Sequence, residues 1–505
     1  MEQVKPAAND APVRNIDISK MSISPTLLRV IPADMMERFL AIPFDLQGER
    51  LSIAMLDPQN VNAIKQIQTL TGFELQIHST TKDAIIAVLQ KNGLLKGKVP
   101  FCEPLRLQAT GDESPIINAV DKLFELAVAQ RASDIHLEPQ INGLFARFRI
   151  DGTLQTIHQF PKQAVSAIIS RIKVISGMDV AEKRFPQDGQ INAKILGKDI
   201  DMRVSTLPGK YGEKTVIRML DKSGGLLEFS ILGMDPVTQS QFEMMIDRPQ
   251  GLLLVTGPTG SGKTSTLYAL INRLKSPLKN IITLEDPIEY ELLASCGNEA
   301  GITQVQVNPK IDLTFAAALR ASLRQDPDVI MVGEIRDQET AEVSMKAAMT
   351  GHIVLSTLHT NDAPSAVGRL RDIGVEPYLI ASTLLGVLAQ RLLRVLCVHC
   401  KEPYDVPGRA MKHLFPHHPE DQKLTLYRPK GCEHCHGTGY WGRKGIFELL
   451  VLNDTLRAQI HENVSNDILK KTAVSQGLRS LRESGLEFVR QGLTTVEEVF
   501  RHTVE

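Results

Sequence analysis

Hydrophobic positions along this chain recur with two periods, and each period predicts its own elements. Alternation marks "RLSIAML" as a strand, and the spacing in "DPQNVNAIKQIQTLTG" predicts a helix closed by Gly72. "LFARFRI" and "TLQTI" read as a hairpin turning at Asp151–Gly152. Ala146, Phe148 and Ile150 face one way along it, and Phe145, Arg147 and Arg149 the other. "DIDMRVST" repeats the alternation, with Met202 and Val204 inward and Asp201, Arg203 and Ser205 outward. Outward arginines on a strand are ordinarily a solvated face. Further on, "GLLLVT" is continuously apolar, as buried strands are. Leu267, Leu270, Ile271 and Leu274 then follow at the i, i+3, i+4, i+7 spacing of a helix face. Three more short apolar runs, in "NIITLEDPIEY", "DVIMVGEIRD" and "GHIVLSTLHTND", each end in polar residues.

These patterns divide the chain. A polar, disordered tail is expected over 1–15, a small α/β domain over 16–95, and a linker over 96–113. A second domain covers 114–221, and a joint covers 222–238, where Gly224 and Gly225 can absorb backbone changes. A third, α/β domain spans 239–395, a cysteine-bearing segment 396–442 and a helical region 443–505. The 505 residues are too many for one ordinary core. Hydrophobic residues at 43% and charged residues at 23% are a soluble globular composition. The net charge of −1 carries no global basic field that would advertise nucleic acid. No apolar core opens the chain, and its longest apolar run, "YLIASTLLGVLA", falls short of the about 20 residues that span a bilayer. A cytoplasmic protein without a transmembrane segment is expected. Cys102 and Cys296 read as isolated, packed thiols.

Chemistry enters at "GPTGSGKTS". A strand, then Gly-x-x-x-x-Gly-Lys-Thr, then a helix is the context that a phosphate-binding loop requires. Gly257, Gly260 and Gly262 let backbone N–H groups close around phosphates, with Pro258, Thr259, Ser261 and Ser265 completing the loop. Lys263 would reach the β- and γ-phosphates of ATP, and Thr264 would hold Mg²⁺. Glu334, ending its apolar strand after Gly333, is placed to polarise the attacking water. Many such enzymes put an Asp for Mg²⁺ in the slot that Gly333 fills. Glu285 and Asp286, with Glu289 beyond Pro287, end another strand, where Glu285 and Asp286 are expected to face the nucleotide and supply the missing metal carboxylate. His359 ends a third, for which His352 stands at the start. Ligands of open α/β sheets bind outside the carboxyl ends of strands, and His359 there is suited to sensing the γ-phosphate.

Four boxes in this order, "GPTGSGKT", "ITLEDPIE", "DVIMVGEIRD" and "TGHIVLSTLHTND", resemble the Walker A, aspartate, Walker B and histidine boxes of the secretion ATPases that power type II secretion and type IV pilus assembly. Upstream, "ASDIHLEP", "RFRIDG", "AEKRFPQDGQI" and "RVSTLP" are similar to that family's second N-terminal domain, so the resemblance covers about 114–505. It implies a RecA-like P-loop ATPase core preceded by a PAS-like α+β domain. It further implies a homo-hexamer whose nucleotide-driven rotation works on an inner-membrane platform protein and an adaptor, with peripheral association through them. It also implies that Arg203 and Arg218 reach nucleotide phosphates from the second domain, and that Arg320, Arg324 and Arg336 couple subunits. Two departures stand out. "ELLASCGNEAGI" is longer than the secretion branch leads one to expect. The first domain matches weakly and lacks the Arg-Leu-Gly-led stretch through which some members bind cyclic di-GMP.

Cys397, Cys400, Cys432 and Cys435 form two Cys-x-x-Cys knuckles. In a cytosolic chain, that pattern favours a closed, structural Zn²⁺ site over disulfides. Neither knuckle lies in a basic run, and His399, His434 and His436 read as spectators. The resemblance implies such a module in assembly and secretion ATPases and not in retraction ATPases. A RecA-like nucleic-acid motor is the alternative reading.

Overall fold

The structure, a computed structural model, describes residues 15–91, 115–221, 228–292 and 301–503, apart from positions 20, 22, 29, 33, 34, 37, 38, 49 and 417. Most of the expected tail and the linker, Gly224 and Gly225 of the joint, and residues 293–300 of the extra segment lie outside the described residues, as do Cys102 and Cys296. The chain divides into two compact units. One holds residues 1–100, 397–439 and 495–497, and the other holds the rest.

In the first unit, β1 (Ala41–Gln47) pairs antiparallel with β2 (Arg50–Met55), which pairs parallel with β3 (Glu74–Ser79). The parallel step needs a crossover, supplied by the helix Val61–Thr71. The Asn60 side chain caps it by accepting the Ala63 N–H, and Gly72 ends it at φ 69°. Ile42, Leu51, Ile53, Ile67 and Ile85 are buried beneath this sheet and its helices.

The second unit begins with β4 (Asp134–Gln140), β5 (Gly143–Ile150), β6 (Thr153–Phe160), β7 (Gln187–Ile195), β8 (Lys198–Leu207) and β9 (Lys214–Asp221). They form an antiparallel sheet ordered β6-β5-β4-β9-β8-β7. The helices Pro115–Ala129 and Val165–Ile175 share its core, in which Ala146, Phe148, Met202 and Val204 are buried as the alternation predicts. The β5–β6 turn places Asp151 at φ 47° and Gly152 at φ 84°, the two positive values of a tight two-residue hairpin. Cross-strand register puts Arg149, Asp134, Arg218 and Arg203 in one row on the other face. This is the expected α+β second domain.

Next come β10 (Gly251–Thr256), β11 (Ile281–Glu285), β12 (Ile302–Gln306), β13 (Val329–Val332), β14 (Ile353–Leu358) and β15 (Leu384–Leu396). β16 (Glu402–Pro407) and β17 (Lys423–Arg428) pair with each other in the first unit, near the cysteine knuckles in sequence. β18 (Tyr440–Val451) returns antiparallel beside β15. The large sheet is ordered β12-β11-β13-β14-β10-β15-β18. β10 through β15 run parallel, and β10, β11, β13 and β14 are buried along their whole length. Strand ends are level: Thr256 pairs with Leu358, Ser356 with Val332 and Val332 with Leu284. Chain order jumps from β10 over two strands to β11, which makes the carboxyl end of β10 a topological switch point.

Four helices end the chain: Asp454–His461, Asn466–Ser475, Leu481–Arg490 and Val496–His502. Buried Glu448 on β18 accepts the N–H groups of Ala363 at 2.7 Å and Leu481 at 3.1 Å. Burial pushes its carboxyl up. Arg394 holds Glu498 of the last helix at 2.5 Å. Among the described residues no helix is long and apolar enough to cross a membrane.

Within the second unit, the hairpin tip of the antiparallel domain docks at the start of β18. Asp151 Oδ2 accepts the Gly442 N–H at 2.9 Å and lies 3.5 Å from Arg131, whose guanidinium sits 3.9 Å over the Trp441 ring. Trp441 is the chain's single tryptophan and so reports on this contact. Arg131→Ala should shift Trp441 emission to the red without loss of helical or strand circular dichroism. Unchanged emission would show that the docking does not persist in solution.

Candidate active site and tetracysteine centre

The loop between β10 and the helix Lys263–Leu274 adopts conformations that side chains resist. Gly257, Gly260 and Gly262 have φ of 153°, 80° and 89°. A Cβ on Gly257 would lie 2.6 Å from both the Gln390 carbonyl and Ser261 Oγ, and one on Gly262 2.8 Å from Gln390 Nε2. The loop therefore rests on β15 as bare backbone. Pro258, Thr259 and Thr264 are exposed, and Ser265 is half-buried at the first helical turn. Ser261 Oγ is buried with no hydrogen-bond partner among the described residues. An unsatisfied hydroxyl inside a glycine cradle at a helix N-terminus fits a phosphate. Lys263 Nζ donates to the carbonyls of Gly257 at 2.9 Å and Pro258 at 3.1 Å. Burial pushes its ammonium down to about 8, with Glu334 pulling it up and Arg391 pressing it down.

Glu334 stands two residues past β13. Its carboxylate pairs with Arg336 through one oxygen, and the other lies 3.5 Å from His359 Nε2. Exposed Asp286 acts electrostatically on the same Arg336, helping Glu334 to raise its pKa. The level strand ends thus bring Lys263, Glu334, His359 and Asp286 to one edge of the sheet. His352 lies at the opposite end, its Nδ1 2.9 Å from the Ala347 carbonyl.

Glu285 differs from the expectation that it faces the nucleotide. It is 3% exposed, and its oxygens accept from the Tyr268 hydroxyl, from Thr283 Oγ1 at 2.7 Å and from Gln304 Nε2 at 3.0 Å. Burial and the Glu285 charge raise the Tyr268 phenol well above its ordinary value, so the phenol stays the donor. The carboxylate is spent on joining the P-loop helix to β11 and β12.

The expected arginines stand elsewhere. Arg203 Nη2 donates to the Ile288 carbonyl at 3.3 Å and lies 3.4 Å from Glu289. Arg218 is 58% exposed and 3.5 Å from Asp134, which Arg149 also approaches at 3.5 Å. Neither guanidinium is bonded to residues 257–264 among the described contacts. Arg320 pairs with Glu339 at 2.6 Å, and Arg324 donates to the Arg320 carbonyl at 3.0 Å.

Tyr268, Gln304, Gln390 and Arg391 take part in the site without having been singled out from the sequence. Gln390 Oε1 accepts from Thr266 Oγ1 at 2.7 Å, and buried Arg391 donates to the Asn361 carbonyl at 2.7 Å. The signal for this pair was present: "QR" interrupts the apolar run of β15.

At the knuckles, Sγ–Sγ distances are 3.9 Å for Cys397–Cys432, 3.8 Å for Cys400–Cys435 and 3.7 Å for Cys432–Cys435. All four ligand atoms lie within 4.8 Å of one another. A tetrahedron with Zn–S bonds of about 2.3 Å has edges of about 3.8 Å, so the sulfurs fit zinc. N–H groups of Cys432 at 3.2 Å and Gly439 at 3.1 Å point at Cys435 Sγ, the outer shell that steadies a thiolate. The exposed rings of His399 and His434 lie tilted at 58° with centroids 4.4 Å apart and are outside the sulfur cluster.

A glycine cradle at the switch point of a parallel sheet, with a carboxylate and a histidine facing its lysine, defines a P-loop fold of the RecA-like class. The sequence model of the type II/IV secretion system protein family matches residues 109–501, and that of the MshEN domain matches residues 9–96. The chain belongs to the type II/IV secretion system protein family. It is 42% identical to the type IV pilus assembly ATPase PilB of Thermus thermophilus, over 94% of this chain and 54% of that protein, and so spans about half of that relative's length. It is 49% identical to type II secretion system protein E of Pseudomonas aeruginosa, over 81% of this chain and 80% of that protein. Among solved structures, the pilus retraction motor PilT with bound ADP is 26% identical, over 76% of this chain and 97% of that one, with a TM-score of 0.50. The DotB ATPase of Legionella pneumophila, 20% identical over 78% and 97%, shares the fold with a TM-score of 0.57. The first domain, which reads as a weak match in sequence, is covered by the MshEN model.

Metal analysis of the full chain should find one zinc per chain. Replacing Cys397 and Cys400 together by serine should abolish it and unfold the module locally while the P-loop domain stays folded, because structural zinc supplies a subdomain's own folding energy. Iron, or no metal in protein purified without chelator, would contradict a zinc centre.

Proposed function

We propose that this chain is an ATP hydrolase that drives assembly of a type IV pilus or a type II secretion pseudopilus. It works as a cytoplasmic homo-hexamer that rotates an inner-membrane platform protein and is associated with the membrane through its partners. The observation that carries this reading is the grouping of Lys263, Glu334 and His359 at the carboxyl edge of the sheet, around a backbone cradle that fits phosphate. Lys263 exchanges its two carbonyl contacts for the β- and γ-phosphates. Glu334 polarises the attacking water, and His359 senses the γ-phosphate beside it. Mg²⁺, held by Thr264, would neutralise developing charge on the phosphates. Asp286, exposed at the same edge, is better placed for the nucleotide than buried Glu285. Arg203 and Arg218 complete the charge when their domain swings toward the γ-phosphate. The tetracysteine module supports assembly over retraction. The nucleic-acid motor is not favoured: the net charge is −1, and no basic run surrounds the knuckles.

Glu334→Gln should leave ATP affinity nearly intact and remove most turnover, since the carboxylate acts in the transition state more than in the ground state. Lys263→Ala should weaken both together, because its charge contacts ground-state phosphates as well. Hydrolysis at the parental rate in Glu334→Gln, or retained affinity in Lys263→Ala, would refute the respective role.

Arg203→Ala and Arg218→Ala should each cut turnover of assembled protein strongly while thermal melts stay close to the parent. Fluorophores on the two domains should move on addition of a non-hydrolysable ATP analogue. Wild-type hydrolysis in both variants with an unchanged interdomain distance would leave these arginines as a solvated strand face.

A further inference from the structure

The segment after β11 meets Arg203 from a rigid base. Tyr268, on the P-loop helix, donates to Glu285 and accepts the Glu289 N–H at 3.3 Å. Gln304 on β12 donates to the Tyr290 carbonyl at 3.1 Å and accepts the Leu292 N–H at 2.7 Å. The rings of Tyr268 and Tyr290 meet edge to face at 6.1 Å. Residues 289–292 are thereby fixed at one end to the P-loop helix and at the other to β12. Arg203 touches this segment from the antiparallel domain at 3.3 Å and 3.4 Å. Tight charge-assisted contacts run about 2.7–2.9 Å, so the guanidinium is retained without being locked. Glu289 Oε2 is buried and has no hydrogen bond among the described residues, leaving Arg203 as its ion-pair partner there. Because its backbone is anchored through Tyr268, Glu289 cannot follow Arg203 away.

We propose that Glu289 is a resident counter-ion that competes with the terminal phosphate of ATP for Arg203, so that the guanidinium leaves its own chain for a triphosphate and stays for a diphosphate. This rests on the reading of Arg203 as a phosphate-reaching residue. One carboxylate offers a single negative charge, whereas a terminal phosphate carries close to two and presents three strong acceptor oxygens to a planar fork. The pair that must break is loose and partly exposed, with side chains 31% and 27% accessible, and pairs of that kind shift an equilibrium only a few-fold. Glu289 therefore sets a low threshold: high enough to hold the domain when no terminal phosphate is present, low enough for ATP to pass.

Affinities for a non-hydrolysable ATP analogue and for ADP, measured on the full chain in wild type, Glu289→Gln, Arg203→Ala and the double variant, test this. Glu289→Gln should tighten the triphosphate analogue by about two- to fivefold and leave ADP unchanged. The gain should disappear when Arg203 is already alanine. A merely structural role for Glu289 would move both nucleotides alike. The proposal fails if the gain persists without Arg203, if ADP gains equally, or if Glu289→Gln leaves the analogue unchanged or weakens it. If Arg203→Ala by itself binds the analogue as the wild type does, the underlying reading of Arg203 fails instead, and that single variant tells the two failures apart.

Discussion

Glu285 is buried, and its hydrogen bonds tie the P-loop helix to two strands of the large sheet. A buried ion costs several kcal/mol unless its oxygens are satisfied. Here the donors come from three elements: Tyr268 from the P-loop helix, Thr283 from β11 and Gln304 from β12. Withdrawing any one of them would leave the carboxylate underpaired, so helix, strand and edge strand are held together at this one group. The same Tyr268 and Gln304 hold residues 289–292, which makes that segment a rigid extension of the phosphate loop rather than a free connection.

The sheet supplies the second constraint. Strands buried on both faces admit along their length only small polar side chains that find an internal partner, such as Thr283 and Ser356, so charged groups that meet a ligand collect where the strands stop. Level registration of β10, β11, β13 and β14 then puts those stops side by side. Beneath the loop, burial pushes the Lys263 ammonium down, Glu334 pulls it up, and buried Arg391 adds a smaller push down. The lysine thus stands between a cation fixed in the scaffold and an anion at the edge, and a bound phosphate adds the negative charge that this arrangement lacks.

What could be read from the sequence was local. The glycine cradle, the Asp151–Gly152 turn, the Gly72 helix end and the cysteine spacing depend on residues a few positions apart, and backbone sterics or ligand geometry dictates each. Glu285 was misplaced because a carboxylate ending an apolar strand can face the ligand or the neighbouring helix, and only the packing of Tyr268 decides between them. Asp151 and Gly442 meet across 291 positions and Arg203 and Ile288 across 85. No periodicity encodes such pairs. Arg391 was legible as an anomaly, a charge within a buried strand, but its partner Asn361 was not.

Charge along the antiparallel domain bears on the proposed reading, in which the nucleotide site is divided between two domains. Arg149 and Arg218 share the single carboxylate of Asp134, and Arg203 in the same row borrows Glu289 from the ATPase domain. Three guanidiniums with one carboxylate of their own form an anion-seeking row, and a row this poorly neutralised is most stable beside a ligand that brings negative charge. The phosphate cradle, for its part, has a single lysine among its loop residues. In that reading each domain would supply part of the countercharge for a triphosphate. On the proposed reading, the charge balance of hydrolysis depends on where one domain stands relative to the other, and this dependence lets phosphate chemistry perform mechanical work.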